Sequence, residues 1–268
     1  MQIRAAASSA LRDLLAGPPV PARLLGSGPY ALYLGTDDAV VAVLARDAVR
    51  LPCSLTLSTS SAELPLTSLD VSDAVSVGEG AIRWTGRAGP GAVLVARHWA
   101  PARVRKGTSI PIDRWRSALS AFDCGVEARL IGGLTVGSCD LAGSLLGRGP
   151  GLTPAGDDVL AGFLLGTRAL GVPAGPLGRF VAEQAPAATT ALSAQLLRHA
   201  IRGECVPQVA AALASPGDTS ALVALLAVGH TSGTALARGL LRAAEYAAGV
   251  GAATTTAATT TAATTTAA

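Results

Sequence analysis

The chain has 268 residues, of which half are hydrophobic and 15% are charged, and its net charge at pH 7 is +3. This length allows one large domain or two modest ones, and a core that needs no disulfide cross-links. The mean hydropathy of +0.44 is high. Its apolar runs, however, are broken by Gly, Arg or Thr and fall short of the ~18 residues that a membrane helix requires. These properties argue against the membrane-spanning class and favour a tightly packed soluble protein.

The N-terminal stretch MQIRAAASSALRDLLAGPPV lacks the apolar core of a secretory signal, because Arg12 and Asp13 interrupt it. We expect a short surface helix there. The four cysteines show no CxxC spacing, which favours reduced thiols and a cytoplasmic location.

The first part of the chain is predicted to be rich in β-strands. Six short apolar or alternating runs are separated by Gly, Pro, Asp and Ser: ARLLGSG, YALYLGT, AVVAVLAR, CSLTLST, AIRWTG and AVLVARHW. Runs at such close intervals predict a small antiparallel sheet or barrel.

The densest basic cluster is RHWAPARVRK, residues 97–106, which contains Lys106, the only lysine. Such a cluster can meet nucleic acid or an acidic partner, but more often it is the solvated face of a strand. With so small a positive excess, a nucleic-acid-associated regulator is the least favoured function.

The pattern becomes helical further along the chain. IDRWRSALSAF has helical spacing, and GVEARLIGG fits either a last strand or a connector. Six Leu- and Ala-rich segments with Pro or Gly stops then predict helices over residues 154–170, 176–183, 191–202, 206–213, 220–228 and 232–247.

The expected fold class is therefore α+β, with a β-rich N-terminal part packed on a helical C-terminal part. We place the β-rich part at residues 1–135 and the helical part, with its glycine-rich motifs, at residues 136–250. The Thr/Ala repeat of residues 251–268 has no charged or aromatic residue and is expected to be a disordered tail.

The stretch GRGPGLTPAGDDVLAG, residues 147–162, is the most informative motif. Thr153 and Pro154 are interpreted as an N-cap and a first helical residue, so that Asp157 and Asp158 fall in the first turns, where carboxylates complement the helix dipole. Helix capping does not account for the glycines before them, which let backbone N–H groups approach an anion closely. No Walker lysine is present, so a P-loop NTPase is excluded.

A second stretch, GHTSGTALARGLLRA from Gly229, resembles the first with one residue deleted. Either a duplication or shared capping chemistry explains the likeness. If the two helix N-termini converge, they form a pocket for an anion. His230 lies in this second turn, where a histidine can act as a general base, an anion ligand or a metal ligand.

Other polar residues near these motifs have structural interpretations. His199 lies among Leu and Ala and is expected to be buried and hydrogen-bonded. Arg198 and Arg202 at the end of their helix suit its dipole. Gly162 and Gly166 are expected to allow close helix packing.

The blocks GRGPGLTPAGDDVLAG, TTALSAQLLRHAIRGE and LLAVGHTSGTALARGL, in this order, resemble the signature blocks of the AllH-type family. The resemblance is strongest over residues 147–241 and does not cover the Thr/Ala tail. It implies a subunit of an oxamate carbamoyltransferase of allantoin and purine breakdown, acting with two other subunit types. Such a complex exchanges a carbamoyl group between carbamoyl phosphate and oxamate, with oxalurate as the other product. Both substrates are small anions, which agrees with the anion pocket expected from the residues.

Three functions therefore stay open: a carbamoyltransferase subunit, a non-catalytic module that binds a small anion or a partner, and the nucleic-acid regulator. The candidate catalytic residues are Asp157, Asp158 and His230, and the two aspartates are also candidate ligands for Mg²⁺. The candidate anion-binding residues are Gly149, Gly151, Thr153, Gly156, Thr190, Thr231, Ser232 and Gly233.

Overall fold

The structure is a computed structural model that describes residues 1–69, 71, 73–87 and 89–265, with the backbone alone for residues 73 and 251–265. In the described part of the chain, a β-rich N-terminal region is followed by a helical region, which confirms the predicted α+β class.

Eight strands in the described residues form a closed barrel in the order β1-β5-β4-β3-β2-β6-β7-β8. They are β1 (Gln2–Ser8), β2 (Val20–Ser27), β3 (Ala31–Gly35), β4 (Val40–Leu44), β5 (Ser54–Leu57), β6 (Asp73–Gly78), β7 (Ala81–Gly86) and β8 (Gly89–Trp99). The sequence predicts an antiparallel sheet or barrel, but the barrel is mixed. Strand β1 pairs in parallel with β8, and β4 pairs in parallel with β5.

The expectation of an N-terminal surface helix is wrong for residues 2–8, which form β1. Their Ala-rich composition favours a helix locally, but β1 is hydrogen-bonded to β8 on one side and to β5 on the other. This pairing overrides the local preference. Only Arg12–Ala16, a single short helix (α1), has the predicted conformation.

The barrel core is built from strands whose side chains are buried on both faces. All five residues of β4 and all four of β5 are buried. In β8, Gly91 faces Trp84 of β7, and a Cβ on Gly91 would lie 2.3 Å from the indole ring. Glycine is therefore required there so that the tryptophan can lie across the neighbouring strand.

The remaining elements are two short strands and nine further helices of the described residues. The strands β9 (Ala102–Arg103) and β10 (Glu204–Cys205) pair antiparallel. The helices are α2 (Ile112–Leu119), α3 (Ala128–Gly132), α4 (Cys139–Leu145), α5 (Ala155–Ala169), α6 (Gly175–Ala188), α7 (Ala191–Ile201), α8 (Pro207–Ala214), α9 (Thr219–Leu226) and α10 (Ser232–Thr265). The segment GVEARLIGG, whose sequence fits either a last strand or a connector, contains the helix α3.

Two compact units divide the chain. The first contains Met1–Arg103, Ala191–His199 and Glu204–Pro207, and the second contains Val104–Thr190, Ala200–Gly203 and Gln208–Ala268. The division into parts at residues 135 and 250 stays a prediction about domains.

Helix α5 is the centre of the second unit, and every one of its residues except Arg168 is buried. It packs closely on α10 through two glycines. A Cβ on Gly162 would lie 2.2 Å from the carbonyl oxygen of Leu236, and one on Gly239 would lie 2.1 Å from that of Val159. The predicted packing role of Gly162 is confirmed.

The two contacts between these helices are reciprocal. The distance in sequence from Gly162 to Gly239 is the same as the distance from Val159 to Leu236. The helix pair therefore has local two-fold pseudosymmetry, as expected if both glycine motifs place equivalent helices.

The backbone of α10 continues through the Thr/Ala repeat to Thr265. The side chains of residues 251–265 are not described, and residues 266–268 lie outside the described residues. The prediction of a disordered tail over residues 251–268 stays a prediction.

Candidate functional site

The loop before α5 depends on three glycines with left-handed backbone conformations. The φ angles are 71° at Gly147, 117° at Gly149 and 88° at Gly151. At Gly147 a Cβ would lie 2.4 Å from the carbonyl oxygen of Ala188, whereas nothing lies within 4 Å of a Cβ on Gly151. Gly147 is thus required by packing, while Gly151 faces open space.

The turn that follows carries backbone N–H groups without acceptors. No hydrogen bond between described residues is donated by the N–H of Gly151, Leu152 or Thr153. Helix α5 begins at Ala155, and its N-cap, Pro154, supplies no side-chain cap. The helix thus begins one residue later than predicted, and Thr153 is not its N-cap. Such N–H groups at a helix N-terminus are the usual partners of bound anions.

Asp157 holds this loop in place. It is almost completely buried, with 1% of its surface exposed. Its Oδ1 accepts a 2.9 Å hydrogen bond from the Gly147 N–H, and its Oδ2 accepts one from the Thr189 hydroxyl at the end of α6. Both oxygens therefore have donors, and the carboxylate connects the glycine loop to α6.

Asp158 is in a different environment, although it is the next residue. It is buried, and its Oδ2 has no hydrogen-bond partner among the described residues. Burial raises the pKa of its carboxyl group to about 8, against the lowering effect of a hydrogen bond from Ser232, and the charge of Asp157 raises it further. The Asp158 carboxyl is therefore mostly neutral at pH 7 and carries a proton that it can donate.

The second glycine motif meets the first at Ser232, the first residue of α10. The side-chain oxygens of Ser232 and Thr153 lie 3.2 Å apart, and Ser232 is near enough to the Asp158 carboxyl to lower its pKa. The Thr190 hydroxyl donates a 2.6 Å hydrogen bond to the carbonyl of Leu152. The two helix N-termini therefore converge, as the hypothesis of a shared pocket requires.

The glycines inside the helices have packing roles. A Cβ on Gly156 would lie 2.1 Å from the Leu145 carbonyl oxygen, and one on Gly233 would lie 2.0 Å from that of Leu225. Both residues therefore allow their helix to approach the preceding one.

His230 and Thr231 form the turn immediately before α10. His230 is exposed, and no hydrogen bond between described residues includes its ring. The Thr231 carbonyl accepts the Ala235 N–H at 2.9 Å, which starts the helix. His230 lies two residues from Ser232, and its side chain is free to meet a ligand from solvent.

The expectation that Asp157 and Asp158 bind Mg²⁺ stays a prediction. Hydrogen-bond donors already occupy both Asp157 oxygens, and the Asp158 carboxyl is buried and neutral. No group of three or more His, Cys, Asp or Glu side chains among the described residues could hold a metal ion. Because Mg²⁺ prefers charged oxygen ligands, binding of this ion would require Asp158 to lose its proton.

A buried network around His199 lies in the first unit, and the sequence indicated only part of it. His199 is buried and hydrogen-bonded, as predicted. Its Nδ1 lies 2.6 Å from Oε2 of Glu204, and its Nε2 lies 3.2 Å from the Gln195 amide nitrogen. Arg198 donates to the Gln195 amide oxygen, which orients the amide nitrogen towards the histidine.

This arrangement assigns the tautomer of His199. The Gln195 amide donates to Nε2, so Nε2 is an acceptor and the proton is on Nδ1, facing Glu204. The spacing of Gln195, His199 and Glu204, four and five residues apart, was the sequence signal for this network.

Comparison with known protein families identifies the part of the chain that carries the glycine motifs. The family model described as oxamate carbamoyltransferase subunit AllH matches residues 145–244. The AllH match contains α5, the whole of α7 and the turn before α10. The match therefore covers the glycine-rich turn before α5 and the turn before α10, which converge where Thr153 meets Ser232. It spans well under half of the chain and does not include the barrel.

No solved structure matches the chain. Within the described residues, no helix is both long enough and apolar enough to cross a membrane.

Proposed function

We propose that the chain is a subunit of an oxamate carbamoyltransferase-like complex, which binds a small anionic substrate at the two converging turns. The observation that carries this proposal is the AllH match over residues 145–244, because it contains the convergence of Thr153 and Ser232. The reaction transfers a carbamoyl group between carbamoyl phosphate and oxamate, with oxalurate as the product, in allantoin and purine breakdown.

The electrostatics of the turns support an anion as the ligand. Free N–H groups at Gly151, Leu152 and Thr153 stand at the positive end of α5. An ionised carboxylate beside them would repel the ligand, but Asp158 is largely neutral at pH 7. The turns thus offer donors, and the one charged carboxylate near them, Asp157, is occupied by two hydrogen bonds.

The reaction assigns different roles to the polar side chains. The oxamate nitrogen attacks the carbamoyl carbon, the bond from that carbon to the phosphate oxygen breaks, and the nitrogen loses a proton. We assign the proton transfer to His230, which is exposed on the second turn. We assign Asp158, supported by Ser232, to donating a hydrogen bond to the anion, and Asp157 to positioning the loop.

The proposal includes partner subunits and a cytoplasmic location, and it does not include nucleic-acid binding. Partner subunits of the same complex are expected, because the matched family is described as a subunit. None of the four cysteines, all of which lie in described residues, forms a disulfide, which supports a cytoplasmic location. In the basic cluster, Arg103 forms an ion pair with Glu204, which does not favour nucleic-acid binding.

The test is carbamoyl transfer by the complex, reconstituted with its companion subunits. We expect H230A to lower kcat by about 10²-fold or more, the usual cost of losing a positioned acid or base, with little change in the folded fraction. The exposed Arg179 on α6 gives a matched surface control, R179Q. Unchanged turnover in H230A removes its assigned role. Unchanged turnover when the whole chain is omitted favours the non-catalytic binding module.

A further inference from the structure

The other end of α5 has a pocket of its own, with a volume of about 190 Å³. It is lined by two cationic side chains, Lys106 and Arg168, and by apolar ones that include Leu164, Val172, Pro173 and Ile201. Arg168 lies 13 residues after Ala155 on the same helix. At ~1.5 Å of rise per residue, that places it about 20 Å from the glycine turns, so the pocket is separate from the site described above.

Backbone features place both cations at the end of α5. Arg168 is the one exposed residue of α5, and its side chain crosses Gly203, where a Cβ would lie 2.4 Å from Nε. Gly203 has a φ of 81°, so glycine is required there. Lys106 precedes Gly107, and the Thr108 N–H two residues on donates to the Ala169 carbonyl at 3.1 Å. The lysine is therefore attached to the end of α5.

Arg168 and Lys106 are not neutralised by an ion pair in the part of the chain that the structure describes. Neither the Arg168 guanidinium nor the Lys106 ammonium makes an ion pair or a hydrogen bond with a described residue. None of the residues lining the pocket is acidic. Two like charges beside one cavity repel each other unless an anion lies between them. The guanidinium supplies paired donors that match a carboxylate or phosphate group.

We infer that this pocket binds a small dianion, such as a dicarboxylate or an inorganic phosphate, with Arg168 and Lys106 as its ligands. The pocket volume of about 190 Å³ is large enough for an ion of this size. The apolar side chains beside the two cations suit a compact ligand. This second site does not depend on the proposed transfer reaction.

The experiment is an NMR titration of the ¹⁵N-labelled full chain with oxalate and, separately, with inorganic phosphate, using neutral oxamide as the uncharged control. We expect saturable shifts at the amides of Gly171, Val172 and Ile201 with at least one of the two anions, and none there with oxamide. R168Q and K106Q should each weaken the binding about tenfold, the effect of losing one hydrogen bond to a charged group. R179Q, which removes an exposed charge on α6, should leave it unchanged.

Three results would overturn the assignment: no saturable shift at these amides, equal binding in R168Q, or an equal loss in R179Q. The last result would show a general charge effect. Shifts at Gly151 and Leu152 report the glycine turns separately, so the failure of one site is distinguishable from the failure of the other. Unchanged amide spectra of the variants away from the pocket show that they are folded.

Discussion

The side-chain oxygens of Thr153 and Ser232 lie 3.2 Å apart although 79 positions separate them in the chain. This contact joins the glycine-rich turn before α5 to the turn before α10. The Ser232 hydroxyl also lowers the pKa of the Asp158 carboxyl group, so the turn before α10 acts on the buried acid as well.

The two adjacent aspartates should respond in opposite ways to the same substitution. D157N places an amide NH₂ where one Asp157 oxygen accepts a hydrogen bond, from Gly147 or Thr189. We expect it to lower the free energy of unfolding by about 1–3 kcal/mol, the cost of an unsatisfied buried group. D158N replaces a neutral carboxyl group with a neutral amide of similar shape and removes the cost of protonating Asp158 on folding, so we expect a gain in stability at pH 7. Urea unfolding of both variants at pH 7 tests this pair, and equal losses would contradict the division of roles.

The pH dependence of stability should report the Asp158 proton. Its pKa is raised from 3.8 to about 8 in the folded state. The folded protein therefore holds a proton that the unfolded chain releases, and stability from this group is fully present below pH 3.8 and is lost as the pH rises towards 8. The slope is at most about 1.4 kcal/mol per pH unit. We expect the difference in unfolding free energy between wild type and D158N to change over this range and to level off above it. A constant difference from pH 5 to pH 9 would show that Asp158 is ionised throughout.

The close packing of α5 on α10 should tolerate no side chain at its two glycines. G162A and G239A place a Cβ 2.2 Å and 2.1 Å from backbone carbonyl oxygens, so the helices must separate. We expect each to lower stability by about 1–3 kcal/mol, as overpacking usually does. The matched control is G249A on the same helix α10, where nothing lies within 4 Å of a Cβ. Because alanine favours helix by up to ~1 kcal/mol over glycine, G249A should be neutral or stabilising. Thermal melts of the three variants measure the contrast, and equal effects would refute it.

Removal of the Thr/Ala repeat should have little effect on the folded core. Residues 252–268 contain only Ala and Thr, a pattern that forms no core face. We expect a chain ending at Gly251 to keep the wild-type melting temperature within about 2 °C. A loss of several degrees would show that this segment packs on the rest of the protein.

The helical half was predictable because its signals are local. Proline and glycine stops bound the Leu- and Ala-rich segments, and α7 and α10 begin at the predicted residues, Ala191 and Ser232. Residues 2–8 were mispredicted because their alanines favour helix, and only pairing with distant strands makes them β. The parallel pairing of β4 with β5 likewise has no local signal.

The residues of the candidate site were predictable from the sequence, but the different roles of Asp157 and Asp158 were not. The sequence singled out Asp157 and Asp158 together, because adjacent residues of one type look equivalent. The structure distinguishes them by their partners: two donors surround Asp157, whereas burial neutralises Asp158. Burial and hydrogen-bond partners are properties of the folded chain, so no spacing rule could assign them.

The most direct test of the central claim is whether oxamate and carbamoyl phosphate bind at the converging turns. Titration of the labelled full chain with each compound, followed by NMR, should give saturable shifts at the amides of Gly151, Leu152 and Thr153. S232A should weaken the binding, and R179Q should not. Saturable binding with no shift at these three amides, or equal binding in S232A, would contradict the claim that the two turns form the substrate site.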